Sequence, residues 1–553
     1  MIIGPMLRHV SRTSATIFVE TDQACTVDVL GRPTPTFSVG GHHYALVIVE
    51  DLEPGSSTEY EVRLNGDLVW PPADSQMPPS AIRTLGSPES LRVVFGSCRT
   101  AAPHEPPWNL EMIVDLQGRG VDAMYAHGLR MMHQTPDKWP DIAVFLGDQV
   151  YADDSSPKVR ERIIAERKQD DSGLPPELVG GFEEYTWLYH EAWSQPVERW
   201  FFSVVPSVMI FDDHEMIDDW NISDTWVHDI HQEPWWRDHV NGGLMTYWIY
   251  QHLGNLSPDE IRAEGILDRL HDQTDGTPAL QAWADSAEEF SGVPGGYRFS
   301  FWRDLGPVRL VVADSRNSRS LKPGHRRLVH DDDWNWIVET CRGTDKHLLF
   351  GTSLPAFVPG GMHDLQVWSE RVCDGAWGSL GARVGEKARR AADMEDWPAF
   401  SSSFDSLVDL IAELGARPKG EAPITISVLS GDIHFSYAAR IHFPPGQTMN
   451  SHVHQLVNSP IRNALRPHER TLMRVAMSRF GSGAGRVLRR GVRRRRPAVE
   501  WEIDEGPVFQ NCLGLIEFTG DNAHLVQEHA TPDDDGNPRL TVAYELDLDG
   551  VPT

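Results

Sequence analysis

IAVFLGDQVYADD, residues 142–154, joins a five-residue apolar run to a turn rich in acids. A run this short and continuous marks a strand covered on both faces, not one side of an amphipathic helix. Asp148 and Tyr151 stand just past its carboxyl end, where α/β sheets place their sites. Five more runs repeat the arrangement: RVVFG (92–96) before SCR, SVMIF (207–211) before DDHE, VRLVVA (308–313) before DSR, HLLF (347–350) before GTSLP, and ITISVL (424–429) before SGDIHFSY. Polar, metal-capable residues at the same end of six strands predict one α/β domain with its chemistry along a single edge.

Outward from these strands, the intervals 155–205, 216–300 and 360–420 read as helical insertions. NCLGLIEF (511–518), AHLVQEHA (523–530) and LTVAYELDL (540–548) read as closing strands. Residues 1–90 differ. TSATIFVE (13–20), ACTVDVL (24–30), HYALVIVE (43–50) and TEYEVRL (58–64) are short β-branched runs, and Asn65-Gly66 signals a hairpin. Tyr60, a few residues after Pro54-Gly55, suggests the tyrosine corner of an immunoglobulin-like sandwich. We therefore expect a small all-β immunoglobulin/fibronectin-like sandwich over residues 1–85 and a catalytic domain over 86–553. WPPADSQMPPS (70–80) is the expected linker.

Composition narrows the function classes. The chain has 553 residues, 40% of them hydrophobic, enough for a substantial core, so disorder of the whole chain is excluded. A net charge of −30 argues against general nucleic-acid binding. No apolar run is long enough to span a bilayer, and no signal peptide is visible at the N-terminus. Five widely spaced cysteines form no disulfide framework. Together these features lead us to expect a cytoplasmic protein.

The residues after the strands suggest cation chemistry. Asp148 could bridge two cations through its two oxygens, or simply cap a helix. Tyr151 could bind a hard trivalent ion as phenolate, or pack in the core. Cys98 could ligate, or be an inert buried thiol. Asp212-Asp213-His214-Glu215 would be costly to bury without cations or hydrogen-bond partners, unless it is a solvated loop. In Gly431-Asp432-Ile433-His434, extended backbone would put Asp432 and His434 on one side. His452 and His454 in HVHQ read as surface histidines.

GSCR, GDQVYADD, FDDHE, ADSR and SGDIH, in this order, resemble the alkaline phosphatase D (PhoD-like) family of the calcineurin-like metallophosphoesterases. The resemblance implies a four-layer αββα catalytic domain behind the β-sandwich, and metal-dependent hydrolysis of phosphate esters by a metal-bridging hydroxide. It favours phosphodiesters slightly. A broad-specificity phosphomonoesterase, or a catalytically weak polyanion- or phospholipid-binding protein, is the alternative. By position, Asp148 would bridge a binuclear or larger centre. Cys98, Tyr151 and His434 would hold Fe(III), and Asp213 and Asp432 a second ion. Oxygen donors favour Ca(II) there, with zinc or manganese as alternatives. His214 would contact the phosphate or protonate the leaving group, Arg99 and Arg316 would supply charge to phosphoryl oxygens, and Asp212 and Asp314 would orient ligands. Thr186 stands where the family places an arginine near the phosphate.

The basic segment 462–496 ends in RVLRRGVRRRR. Residues 466–496 can form amphipathic helices that dock on an anionic membrane surface or a polyanion, or pair with the protein's own acidic surface.

Overall fold

The computed structural model describes residues 1–86, 90–167, 173–175, 177–322, 324–493 and 497–550. All six strands read from the sequence are present, and among the described residues they divide between two large sheets. The first sheet has the order Ser207–Ile210, Ile142–Leu146, Ser90–Gly96, Cys512–Thr519, Asn522–Pro532, Pro538–Asp547. Its first three strands run parallel, with Val144 beside Val208 and Phe95 beside Val144. The three closing strands add antiparallel. The second sheet has the order Phe301–Asp304, Val308–Ala313, His347–Thr352, Thr425–Ser430, His452–Val457, Ser436–His442, Glu500–Val508, with its central four strands parallel.

Alternation along the second sheet assigns its two faces. Leu310, Val312, Leu349 and Leu429 join a core that also holds Val93, Phe95, Leu146 and Ile210 of the first sheet. Their neighbours Val311, Leu348, Phe350 and Val428 point the other way, into a second core with Ile337 and Leu407 of the helices Asp331–Arg342 and Ser401–Gly415. A Cβ on Gly351 would lie 3.1 Å from Leu146, so the two sheets approach closely just below the strand ends.

Residues 1–83 form an all-β region with two four-stranded sheets and a two-stranded pair. Leu7, Ile17, Val27, Val47 and Val62 fill the cluster that these sheets share. Asn65 and Gly66 both have positive φ between Val62–Leu64 and Asp67–Trp70, the geometry of a primed hairpin turn.

Three expectations are corrected. Residues 70–80 are not a linker between domains: Pro71–Asp74 are exposed, but Ala81–Arg83 beyond them still pairs with Ser57–Glu59, and the Trp200 indole donates to the Pro78 carbonyl, so the stretch is a surface excursion of the β region. Tyr60 makes no tyrosine corner, because its hydroxyl donates to the Ser203 carbonyl at 2.7 Å and ties the β region to the helix Pro196–Val204. His454 is no surface residue; it lies 2% exposed in a strand paired on both sides, whereas His452 at the strand's start is exposed.

The basic segment forms the helices Pro467–Met477 and Arg479–Gly491, while Arg494, Arg495 and Arg496 lie outside the described residues. The second helix packs on the helix Gly360–Cys373, with Arg489 bonded to Asp364. The first contributes Met473 and Met477 to a cluster that also takes in Ile433 of the Gly431–His434 turn.

Candidate metal centre

Each strand delivers its side chains by ending. Ser90–Gly96 leads to Cys98, Ile142–Leu146 to Asp148 and Tyr151, and Ser207–Ile210 to Asp212, Asp213 and His214. From the second sheet, Val308–Ala313 leads to Asp314 and Arg316, and Thr425–Ser430 to Asp432 and His434. The turns are laced together within each sheet and, between Asp432 and Ser97, across the two. Arg99 N–H donates to the Asp148 carbonyl, Asp432 N–H to Ser97 Oγ, and Gly431 N–H to the Ser353 carbonyl. Gly431 cannot carry a side chain, since a Cβ there would stand 1.9 Å from Ser97 Oγ.

Lacing forces unusual backbone. Cys98, Asp148, Asp432 and His434 all have φ between +45° and +66°, the left-handed region that non-glycine residues seldom enter. Such conformations cost roughly 1–3 kcal/mol each and persist where the surrounding structure over-determines them. Glu215, fully buried, is one determinant. Its carboxylate accepts the backbone N–H groups of Asp148, Gln149 and Asp212 at 3.0, 2.7 and 2.8 Å, and Gln251 holds it from behind at 3.0 Å.

The result is a continuous chain of donor atoms. Cys98, Asp148 and His434 form one group, Asp148, Asp213 and His214 a second, and Asp212, Asp213 and Asp432 a third, with ligating atoms within 4.8 Å in each. Asp148 and Asp213 are each shared by two groups. The Tyr151 hydroxyl lies 3.4 Å from Asp148 Oδ2 and accepts from Asn463 at 2.9 Å. His214 lies beside Tyr151, with ring centroids 4.8 Å apart, and its Nδ1 is held by Asp153 at 2.8 Å.

Comparison with known proteins bears on this arrangement directly. Residues 118–255, which contain Asp148, Tyr151, Asp213 and His214, match the family described as PhoD-like phosphatase. The chain carries a PhoD-like phosphatase domain. Residues 1–82 match a family described as "Domain of unknown function (DUF7800)". A solved structure described as "Structure of PhoD" shares the fold of the PhoD-like chain with a TM-score of 0.52, at 11% identity, covering 98% of this chain and 89% of that one. No curated protein matches it.

The strand-end centre fits cations on its own chemistry. Asp148 Oδ1 and Asp212 Oδ2 are buried and find no hydrogen-bond partner among the described residues. Burial, reinforced by Asp212, Asp213 and Glu215 against the pull of His214, raises Asp148 far above the usual carboxylate range. Burial with Asp212 and Asp213 does the same to Asp432. Burial and the charges of Asp148 and Asp432 keep the Cys98 thiol protonated without a cation, and burial with Asp148 and Cys98 does so for the Tyr151 phenol. Burial holds His434 down at about 4, leaving a neutral imidazole ready to ligate. Bound cations invert this logic and favour every ionised donor. The donor types also divide: sulfur, phenol and imidazole at one end, carboxylates alone at the other.

The arginines do not behave as expected of phosphate ligands. Arg99 is 3% exposed, with its guanidinium committed to Asp122, Glu198 and the Ala192 carbonyl. It braces the fold instead of facing a substrate, because burial beside two carboxylates and a carbonyl engages all three of its nitrogens. Arg316 is fully buried among Asp212, Asp213, Asp432 and Glu395, so it neutralises donors from beneath. Asp314 accepts the backbone N–H groups of Arg316 and Asn317, fixing the turn that carries Arg316. Asp212 accepts from Arg316 and from Ser353. Thr186 is buried, its hydroxyl bonded to the Glu183 carbonyl.

Three residues at the site, Asp153, Asn463 and Glu395, had no role in the sequence reading, and Glu215 entered it only as one of four costly to bury. Asp153 and Glu215 sit inside quoted motifs, and a rule that buried acids need partners points to them. Asn463 and Glu395 carry no local signal; tertiary proximity alone brings them in.

Proposed function

We propose that the chain is a metal-dependent hydrolase of phosphate esters, with phosphodiesters slightly favoured over monoesters. The shared placement of Asp148 and Asp213 between adjoining donor groups carries this reading, since adjacent cations suit in-line displacement at phosphorus. Cys98, Asp148, Tyr151 and His434 would hold one ion, and Asp148, Asp213 and Asp432 another. Fe(III) suits the first set and Ca(II) the second, with zinc or manganese able to use the same donors. Cations held there would polarise the phosphoryl oxygens and lower the pKa of a water.

The chain's own residues supply the rest. Asp153 holds His214 Nδ1, which leaves Nε2 to protonate the departing oxygen as water adds to phosphorus and the P–O ester bond breaks. Asp212, pinned by Arg316 and Ser353, would keep its neighbour Asp213 in place, and Glu215 would hold the Asp148 and Asp212 backbones. Commitment of Arg99 and Arg316 to carboxylates supports the diester preference, because the second charge of a monoester dianion gains no guanidinium from either.

The layering we infer is αββα, supported by the core the two sheets share and by the helical core behind the second sheet. The division we infer is a β-sandwich over 1–85 and the catalytic domain over 86–553. Five free thiols support a cytoplasmic location, and among the described residues no helix is long and apolar enough to cross a membrane. The helices 467–491 present Val475, Phe480 and Val487 to solvent beside their arginines, which supports contact with an anionic lipid surface.

Turnover of bis-p-nitrophenyl phosphate against p-nitrophenyl phosphate tests the reading. Faster turnover of the diester is expected. Faster turnover of the monoester would make the protein a phosphomonoesterase, and turnover of neither would leave a polyanion binder.

A further inference from the structure

Away from the strand ends, Glu20, His42 and His190 bring three donor atoms within 4.8 Å of one another. Glu20 and His42 come from the N-terminal strands Ala15–Thr21 and His42–Val49, and His190 from the helix Phe182–Trp193. Glu20 Oε1 lies 3.0 Å from His42 Nδ1 and 2.9 Å from His190 Nε2. Donors of a tetrahedral zinc ion, each about 2.0–2.2 Å from the metal, stand ~3.3 Å apart, close to these separations.

The surrounding contacts are those of ligated groups. His42 Nε2 faces Glu183 Oε2 at 2.8 Å, so a carboxylate grips the nitrogen that points away from the triad. Glu20 Oε2 accepts from the Tyr250 hydroxyl at 2.8 Å, which leaves Oε1 for the triad. Metal-bound histidines and carboxylates are oriented in this way by outer hydrogen bonds. The alternative is an imidazolium: against the opposing effect of burial, Glu20 and Glu183 raise His42 above its ordinary value. Both nitrogens of His42 meet carboxylates, and a neutral imidazole has only one N–H to offer. Either His42 carries an extra proton or a cation takes that proton's place.

We propose that Glu20, His42 and His190 form a zinc site separate from the strand-end centre, clamping the N-terminal strands to the helix Phe182–Trp193. Two imidazoles and one carboxylate are a borderline-hard donor set suited to zinc. Glu20 is fully buried, and His42 and His190 are partly exposed, so an ion can enter from the histidine side. Solvent takes the fourth position.

Crystals of the full chain grown with zinc chloride, measured at the zinc absorption edge, test the site directly. An anomalous peak between Glu20, His42 and His190 is expected; a map with no peak there overturns the proposal. Zinc content gives a second readout that does not depend on crystals. After loading with zinc and desalting, His42→Gln/His190→Gln should hold one equivalent less than the unmodified chain, whereas Asp148→Ala should keep that equivalent. Equal zinc in the folded double variant and the unmodified chain contradicts the site, and a double variant that fails to fold leaves the anomalous map to decide.

Discussion

Two buried polar clusters near the ends of the first sheet's strands look alike in composition and differ in balance. Around Arg99, two arginines, Arg99 and Arg462, answer two carboxylates, Asp122 and Glu198, with His104 also on Glu198. Around Asp148, two arginines, Arg316 and Arg319, face Asp148, Asp212, Asp213, Asp432, Glu215 and Glu395. The first cluster is close to neutral within the protein and sits on ordinary backbone at Asp122 and Glu198. The second holds more carboxylates than arginines, leaves Asp148 Oδ1 and Asp212 Oδ2 unpartnered where the first leaves only Glu198 Oε2, and has four residues in left-handed conformations. Acidic residues alone do not mark a cation site. An excess of carboxylates over arginines and backbone held against its preference do so together.

That contrast is most sharply broken at Asp148. Replacing it with Ala removes the donor shared by two groups, and hydrolysis of a phosphate ester should fall on the order of 10³-fold, together with bound metal measured by plasma mass spectrometry. His214→Ala should cost about 10²-fold in kcat, yet keep the metal, because it removes a proton donor and leaves the carboxylates in place. An unchanged kcat would take His214 out of the chemistry.

The sequence made some of this visible and hid the rest, for identifiable reasons. Strands covered on both faces appear as continuous apolar runs, so Ile142–Leu146 and its five counterparts were readable, and their ends pointed to Cys98, Asp148, Asp213 and Asp432. Glu500–Val508 was missed although Glu500–Asp504 alternates as a half-exposed strand does, because its many acids and Gly506-Pro507 resemble a loop. Ser436–His442 hid behind an initial serine and an interior arginine, although all but two of its residues are buried. At the site, Arg99 shows the limit of motif reading. Its place beside Cys98 suggested phosphate contact, but the backbone turn sends its side chain toward Asp122 and Glu198. Tertiary contacts decided that, and no local pattern records them.

Smaller effects sharpen the comparison. Glu215→Gln keeps the shape of the group that gathers the Asp148, Gln149 and Asp212 amides but removes its charge, and metal affinity should weaken roughly 10–100-fold, read by titration with a competing chelator. Arg99→Met acts on the balanced cluster instead. It leaves Asp122 and Glu198 short of a partner and should lower stability by roughly 3–5 kcal/mol in denaturant unfolding. Metal stoichiometry of the folded variant should stay unchanged. Loss of metal in Arg99→Met would merge the two clusters into one functional unit.

The central claim is that the strand-end carboxylates, Cys98, Tyr151 and His434 together hold cations. Metal analysis of the purified chain with its visible spectrum tests this most directly. The account predicts iron near one equivalent, a broad charge-transfer band, and loss of that band in Tyr151→Phe. A chain that binds no stoichiometric metal at this centre, even after reconstitution with iron, calcium, zinc or manganese, would contradict it.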